Sequence, residues 1–494
     1  MVEKKAIIFF SLSLMFIFLS CSDTKKSSDS ANRKHTIFVN LGIYTPGTKL
    51  AFGEPLKASK EVADAYSKIH PETVIKFVQQ VVISGSQEGE WLKAQLVGGI
   101  APDIISQNAE VTWPDVAKGW YVPLDEFLEK PNPYIPGNRR WLDSFVNLPL
   151  VHAKRALNGK LYCISIDVVE TAIYYNKTIF DKLNLRPPGT WEEFLQLQQT
   201  LLDNGITPMP TAQDLVSDWG QDIIFDMLYY DIIERLDVEP SIDNQKGYMS
   251  HYLLPKEIAF LFTKGYFTRK DPRWVEMHRI LKDWRKYWAK ELKNTDTSRL
   301  FLTGRAAMCW DGSWFTRRLL YDPYLDFEWG IFYLPKITKS TSGFASGADA
   351  SVIGGAAIQL HVTNSATIYD HIDEVIDFLM FYTAPQNFEK VINETLMFLP
   401  NIHGVTIPDE LLPINEIFQR RYCAVKWLES FDPKYKSYWR RMLDLFLNDG
   451  LTIDQYLATL EYNFNNFIEE KSKTENWDFS DYEKVWQEIG LELE

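Results

Sequence analysis

The sequence predicts an α/β protein built in two lobes and ending in a mainly helical part. From His35 to Ile105, β-branched stretches alternate with amphipathic helical ones, strand then helix then strand, the order that builds a largely parallel sheet. A second run of the same style begins near Gly159. With the N-terminal segment set aside, about 460 residues remain, past the ~250–300 at which one hydrophobic core stops growing, so two lobes are expected.

In chain order, His35–Tyr44 reads as a strand, followed by a Gly/Pro loop and a helix from about Ser59 that gathers Val62, Tyr66 and Ile69 on one face and stops at Pro71. Val74–Ile83 is β-branched and strand-like. Glu88–Val97 is helical, Gly98-Gly99 turns the chain, and Asp103-Ile104-Ile105 is a brief strand. In the second run, strands are expected at Leu161–Ile166 and Thr171–Asn176, then a short helix and the break Pro187-Pro188-Gly189. Thr190 and Glu193 form a capping box for a helix to about Asn204, which Gly205 ends. A helix over Pro272–Leu292 places Trp274, Met277, Leu281, Trp284 and Trp288 at alternating spacings of three and four, a seam for the core rather than for a ligand. The last part is mainly helical; Thr452 and Gln455 cap a helix whose Tyr456, Leu460, Phe464, Phe467 and Ile468 share an apolar side. There is no internal repeat.

At the N-terminus, Lys4 and Lys5 precede an apolar run, Ala6–Leu19, broken only by Ser11 and Ser13, which reads as a secretory signal peptide and is too short to span a bilayer comfortably. It ends in Phe18-Leu19-Ser20-Cys21, which resembles a bacterial lipobox, with Phe18 in place of the usual leucine. Cys21 is thus the candidate lipidation site, and the polar stretch Ser22–Ser30 a flexible tether. The remaining cysteines, Cys163, Cys309 and Cys423, are odd in number and read as buried thiols. A net charge of −14, scattered along the chain, argues against a nucleic-acid partner. The 16 Trp and 24 Tyr exceed what a core of this size needs, and such surplus rings often line binding surfaces.

Five segments together resemble the extracellular solute-binding proteins of sugar ABC importers, the group that includes maltose-binding protein. They are Gly98–Ile105; Gly119–Leu124; Asn158–Tyr162 with Tyr174–Lys177; Pro187–Glu193; and Phe301–Trp314, reading FLTGRAAMCWDGSW. The resemblance runs from about residue 36 to the C-terminus. It implies a periplasmic-binding-protein-like fold whose lobes are joined by strands crossing more than once, with a solute in the cleft and hinge closure around it. It also implies the division: residues 1–20 signal peptide, 21–35 lipidated cysteine and tether, 36–160 plus 338–395 first lobe, 161–337 plus 396–494 second lobe. The expected protein is a monomer, anchored by lipid outside the cytoplasm, that passes its solute to a membrane permease; no cofactor or metal is expected.

A sugar presents hydroxyls at its rim and C–H bonds on its face, so its site combines aromatic platforms with amide and carboxylate side chains. By resemblance Trp314 matches the stacking tryptophan at the mouth of the second lobe, while Trp310 before it reads as buried. Gln107, Asn108 and Glu110 follow the strand at Asp103-Ile104-Ile105, at the carboxyl edge where open α/β sheets bind ligands; Asp103 itself reads as a loop anchor. Glu170 lies near the hinge carboxylate of relatives. Tyr44, Trp219 and Asp349 complete the candidates, and Trp427 and Trp439 read as core. The alternative from another class is an extracellular glycoside hydrolase or lyase, which needs two carboxylates about 5 to 10 Å apart. GxSxG and HExxH motifs are absent; the nearest string, Gly343–Gly347, has its serine in the wrong place. A surface adhesin lacks support from repeats or a β-rich pattern.

Overall fold

The structure is a computed structural model that describes residues 36–50, 53–79, 87–156, 158–210, 213–239, 252–289, 298–349, 351–352, 354–418, 420–428 and 433–493. The signal segment, Cys21, the tether and residues 80–83 of the second expected strand lie outside the described residues.

Two large apolar cores define two lobes. In the first, Ile37, Val39, Ile104, Leu360 and Val362 of one sheet pack against Val62 and Tyr66 of the helix Ala58–Ile69 and against Phe378, Leu379 and Phe388 of the helices Ile372–Tyr382 and Pro385–Thr395. In the second, Ile173, Met308 and Phe332 meet the helices Trp191–Asp203, Gln213–Tyr229, Pro272–Arg285, Pro433–Leu447 and Ile453–Glu475. The chain leaves the first core after Ile166 and enters the second at Ile173; it returns between Ala345 and Ile358, and crosses again between Ile402 and Cys423. A small cluster of Leu150, Val168, Ala172, Leu399, Leu411 and Ile414 fills the junction.

The first sheet runs Val74–Phe77, Thr36–Val39, Ile104–Ser106, Gln359–Val362, Cys163–Ser165. Its first three strands are parallel, and Gln359–Val362 is antiparallel to both neighbours. The second sheet corrects the expectation of a largely parallel class: the strand Asp167–Asn176 pairs antiparallel with every named partner it has. Those partners, at 308–312, 329–332, 354–355 and 399–400, arrive from distant parts of the chain, so the local alternation carries no information about their direction. Asp167–Asn176 is the crossing strand. Its first half lies between Leu399–Pro400 and Gly354–Gly355, its second half between Met308–Gly312 and Trp329–Phe332, which explains its nearly continuous burial.

Both capping boxes form, at Thr190/Glu193 and Thr452/Gln455, and Gly205 follows the first helix with φ +71°. The tryptophan seam is buried along its length, Trp284 donating its indole N–H to Gln198 Oε1 at 3.1 Å. Its helix ends at Arg285 rather than Leu292, because the chain turns away to pair Trp288 with Met209 and to bond Ala289 N–H to the Met209 carbonyl. The opening strand also ends early, at Val39, and a 3₁₀ turn at Gly42–Tyr44 replaces its expected end. Cys163, Cys309 and Cys423 are buried and, among the described residues, none of them is in a disulfide. Among the described residues, no helix is long and apolar enough to cross a membrane.

Candidate functional site

The parallel strands Thr36–Val39 and Ile104–Ser106 meet with Val39 beside Ile104, and the segments that follow them lie at the carboxyl edge of this sheet. They are held close: a β-carbon on Gly42 would fall 2.8 Å from Ser106 Oγ, and Gly42 has φ +58°, so glycine is required for both space and conformation. Gln107 is half-buried with its N–H on the Gln359 carbonyl, and Asn108 is exposed at the start of the helix Ala109–Thr112. Glu110 lies on that helix; its side chain falls outside the described residues. Behind this edge, buried Asp103 accepts Phe38 N–H and pairs with buried His371 at 2.9 Å, the anchoring role its sequence position suggests.

The second lobe contributes a file of tryptophans leading outward from its core. Trp284 lies 5.8 Å from Trp310, Trp310 lies 5.8 Å from Trp219, and Trp219 lies 6.1 Å from Trp314 at an interplanar angle of 63°. Trp284 and Trp310 are buried, whereas Trp219 and Trp314 are half-buried. The two outer contacts, Trp310–Trp219 and Trp219–Trp314, are edge-to-face, a geometry that suits the ring quadrupole and adds stability beyond area burial. Trp314 packs against the cluster of Tyr174 and Phe315 in its own lobe and also against the first core, so its indole spans the gap between lobes.

Between these two edges runs the crossing strand. Asp167 is fully buried, its Oδ1 accepting Ala357 N–H at 3.0 Å and Ile358 N–H at 2.9 Å, its Oδ2 accepting Tyr44 Oη–H at 2.7 Å. Burial pushes its carboxyl up to about 7, against the lowering effect of those three hydrogen bonds. Burial and the neighbouring Asp167 likewise raise the Tyr44 hydroxyl well above its ordinary range. Glu170 is fully buried three residues on; its Oε1 accepts Thr171 N–H, and its carbonyl accepts Ser313 N–H at 2.7 Å, tying the strand to the turn that presents Trp314.

A model of the family described as bacterial extracellular solute-binding protein matches residues 53–387, well over half of the chain. The chain belongs to that family. Among curated relatives it is similar to the Multiple sugar-binding protein of Streptococcus mutans serotype c, 23% identical over 337 residues, covering 67% of this chain and 69% of the relative. Among solved structures it is similar to apo RafE from Streptococcus pneumoniae, with TM-score 0.62 and 18% identity over 88% of this chain and 98% of that one. It is also similar to UgpB from Mycobacterium tuberculosis in complex with glycerophosphocholine, with TM-score 0.61 and 15% identity over 88% and 99%. At these identities the structures speak for the fold.

In this solute-binding protein the sequence-selected residues separate into groups. Trp219 and Trp314 are brought into contact, with the Glu170 main chain supporting the turn beneath them. Gln107 and Asn108 follow the strand Ile104–Ser106 at the carboxyl edge of the first sheet, and Asp349 is exposed in the segment returning towards the first lobe. Tyr44 lies in the 3₁₀ turn after the first strand, its ring edge-on against Phe388 and Phe398 and its hydroxyl committed to Asp167, which makes it part of the packing where the lobes join. Glu170 is likewise inside the strand rather than lining an open surface.

Two residues outside that selection matter for the same region. Asp167 and Glu170 are the two acids of the largely apolar stretch Cys163–Asn176, a pattern that itself marks buried, hydrogen-bonded carboxyls. Arg317, buried on the helix Phe315–Tyr321, donates to the carbonyls of Glu394 at 2.6 Å and Thr395 at 3.1 Å, the C-terminal end of a first-lobe helix, where a cation suits the helix dipole. Its partners lie 77 and 78 positions away, and no sequence signal links them. A separate hollow of about 390 Å³, lined by Tyr438, Arg441, Asn466 and Glu470, sits between the helices Pro433–Leu447 and Ile453–Glu475 of the second lobe. Among the described residues no cluster of His, Cys, Asp and Glu could hold a metal.

The raised pKa of the buried Asp167 carboxyl should make stability depend on pH. Between its ordinary 3.8 and about 7, Asp167 is protonated in the folded chain and ionised in the unfolded one, so the folded state binds more protons and this site's contribution falls as pH rises through that window. Denaturant unfolding at pH 5 and pH 8 should show a smaller loss between the two conditions for Asp167→Asn than for the wild type. An equal loss in both removes Asp167 as the source.

Proposed function

We propose that this chain is the substrate-binding lipoprotein of an ABC importer, capturing a mono- or oligosaccharide between its lobes and releasing it, chemically unchanged, to a membrane permease. The observation that carries this reading is the Trp219–Trp314 corner, with Trp314 half-buried in its own lobe and packed against the other. A flat indole at the boundary of two lobes offers a face to the C–H patch of a pyranose, and closure then adds amide donors and acceptors such as Gln107 and Asn108 from the opposite edge. The similarity to a relative named for binding multiple sugars supports the same solute class. The hydrolase alternative gains nothing from Asp167 and Glu170, since both are fully buried in the crossing strand. Anchoring through a lipid on Cys21, with the chain monomeric on the extracytoplasmic side, rests on the signal segment and the Ser20-Cys21 pair.

A thermal-shift panel of glucose, galactose, maltose, raffinose and chitobiose tests the solute class. A sugar at 100 times its dissociation constant adds about 2.7 kcal/mol to the folded state. Trp314→Ala should keep the fold and weaken the responding sugar by about 1 to 3 kcal/mol, by analogy with bases stacked on aromatic side chains, or roughly one to two decades in Kd. Unchanged affinity together with a stability loss of about 3 to 5 kcal/mol, the cost of a large core truncation, rejects Trp314 as a platform. The anchor is read separately by mass spectrometry of the mature N-terminus: a lipid-modified Cys21 is expected, and an unmodified terminus elsewhere removes the lipoprotein claim.

A further inference from the structure

Gly312 closes the strand Met308–Gly312, opposite Thr171 of the crossing strand, and its φ is not among the positive values of the chain. Its backbone therefore gives no reason for glycine. The reason is spatial: a β-carbon at this position would lie 2.2 Å from Cη2 and Cζ3 of Trp314 and 2.5 Å from Cε3, whereas real β-carbons essentially never come within 3.0 Å of another heavy atom. The benzene half of the indole thus occupies the place a side chain would take. The backbone beneath it is held from several sides, because the Gly312 carbonyl accepts Tyr174 Oη–H at 3.1 Å, Gly312 N–H donates to Asp311 Oδ1 at 2.8 Å, and Ser313 N–H donates to the Glu170 carbonyl at 2.7 Å. With the strand fixed there, an added methyl group is relieved chiefly by moving the ring.

We propose that Gly312 is the positioning residue for the binding platform: by lacking a side chain it seats Trp314 on the strand backbone, where Trp219 braces it, and so directs the remaining indole face into the cleft. This rests on the reading of Trp314 as a solute contact. Gly312 touches no solute itself. It acts on affinity only through the ring, and the same contact makes it a determinant of which solutes fit, since the height and tilt of the platform decide how deep a sugar ring can sit.

A double-mutant cycle on the full chain tests this, with Gly312→Ala, Trp314→Ala and both together. The probe is whichever of the five panel sugars gives the largest thermal shift. Gly312→Ala should weaken that sugar by roughly tenfold to a hundredfold, the range of one lost aromatic contact, and the double variant should bind no more weakly than Trp314→Ala alone. Wild-type affinity in Gly312→Ala, while Trp314→Ala binds poorly, overturns the positioning role and leaves the platform standing. Wild-type affinity in Trp314→Ala overturns the platform instead. Denaturant unfolding of the same four proteins gives an arm that needs no sugar: Gly312→Ala should destabilise the chain when residue 314 is tryptophan and be nearly neutral when it is alanine. An equal cost in both backgrounds shows that the methyl group does not act through the ring and removes the inference.

Discussion

A carboxylate with three hydrogen bonds stands where the two lobes join. Asp167 opens the crossing strand, receives the main-chain N–H groups of Ala357 and Ile358 from the returning segment, and receives the Tyr44 hydroxyl from the first-lobe loop. Three separate stretches of chain are thereby fixed to one side chain. Removing a buried carboxyl from water is costly unless its oxygens are bonded, and the rise of its pKa to about 7 shows that burial still outweighs the bonds. The arrangement is specific in a way that apolar packing alone is not, because a shift in register of any of the three stretches leaves a buried polar atom unsatisfied.

From this junction the strand carries the same precision into the second lobe. Three residues after Asp167, the Glu170 carbonyl holds Ser313 N–H, and four residues further on Tyr174 bonds the Gly312 carbonyl and Thr316. The turn that presents Trp314 is therefore built on the crossing strand rather than on a free loop, and the ring itself is the outermost of four tryptophans that begin at the buried Trp284. Arg317, one turn beyond Trp314, reaches back to the end of a first-lobe helix. Contacts between lobes thus cluster within a few residues of the proposed platform, which is the arrangement needed if occupancy of the cleft is to change the relation of the lobes.

How much of this is readable in the sequence follows the range of each interaction. The capping boxes at Thr190/Glu193 and Thr452/Gln455 and the seam from Trp274 to Trp288 depend on neighbours within one or two helical turns, and they appear as expected. The seam's helix ends early because Trp288 pairs with Met209, a partner 79 positions upstream that periodicity cannot register. Strand directions in the second sheet, the burial of Tyr44 against Phe388 and Phe398, and the Arg317 contacts are likewise set by distant segments. Trp219 and Trp314 are legible as candidates from residue chemistry and family resemblance, but their contact needs the fold, and so does the fit of Gly312 beneath Trp314.

If the crossing strand is a hinge and the tryptophan corner a platform, a bound sugar contacts both lobes only when they approach, so binding must favour a more compact molecule. Small-angle scattering of the whole mature protein, with and without a sugar whose saturation is verified by calorimetry, measures this directly. A smaller radius of gyration in the saturated protein is the predicted result; an identical radius at verified saturation contradicts a cleft that closes around its solute.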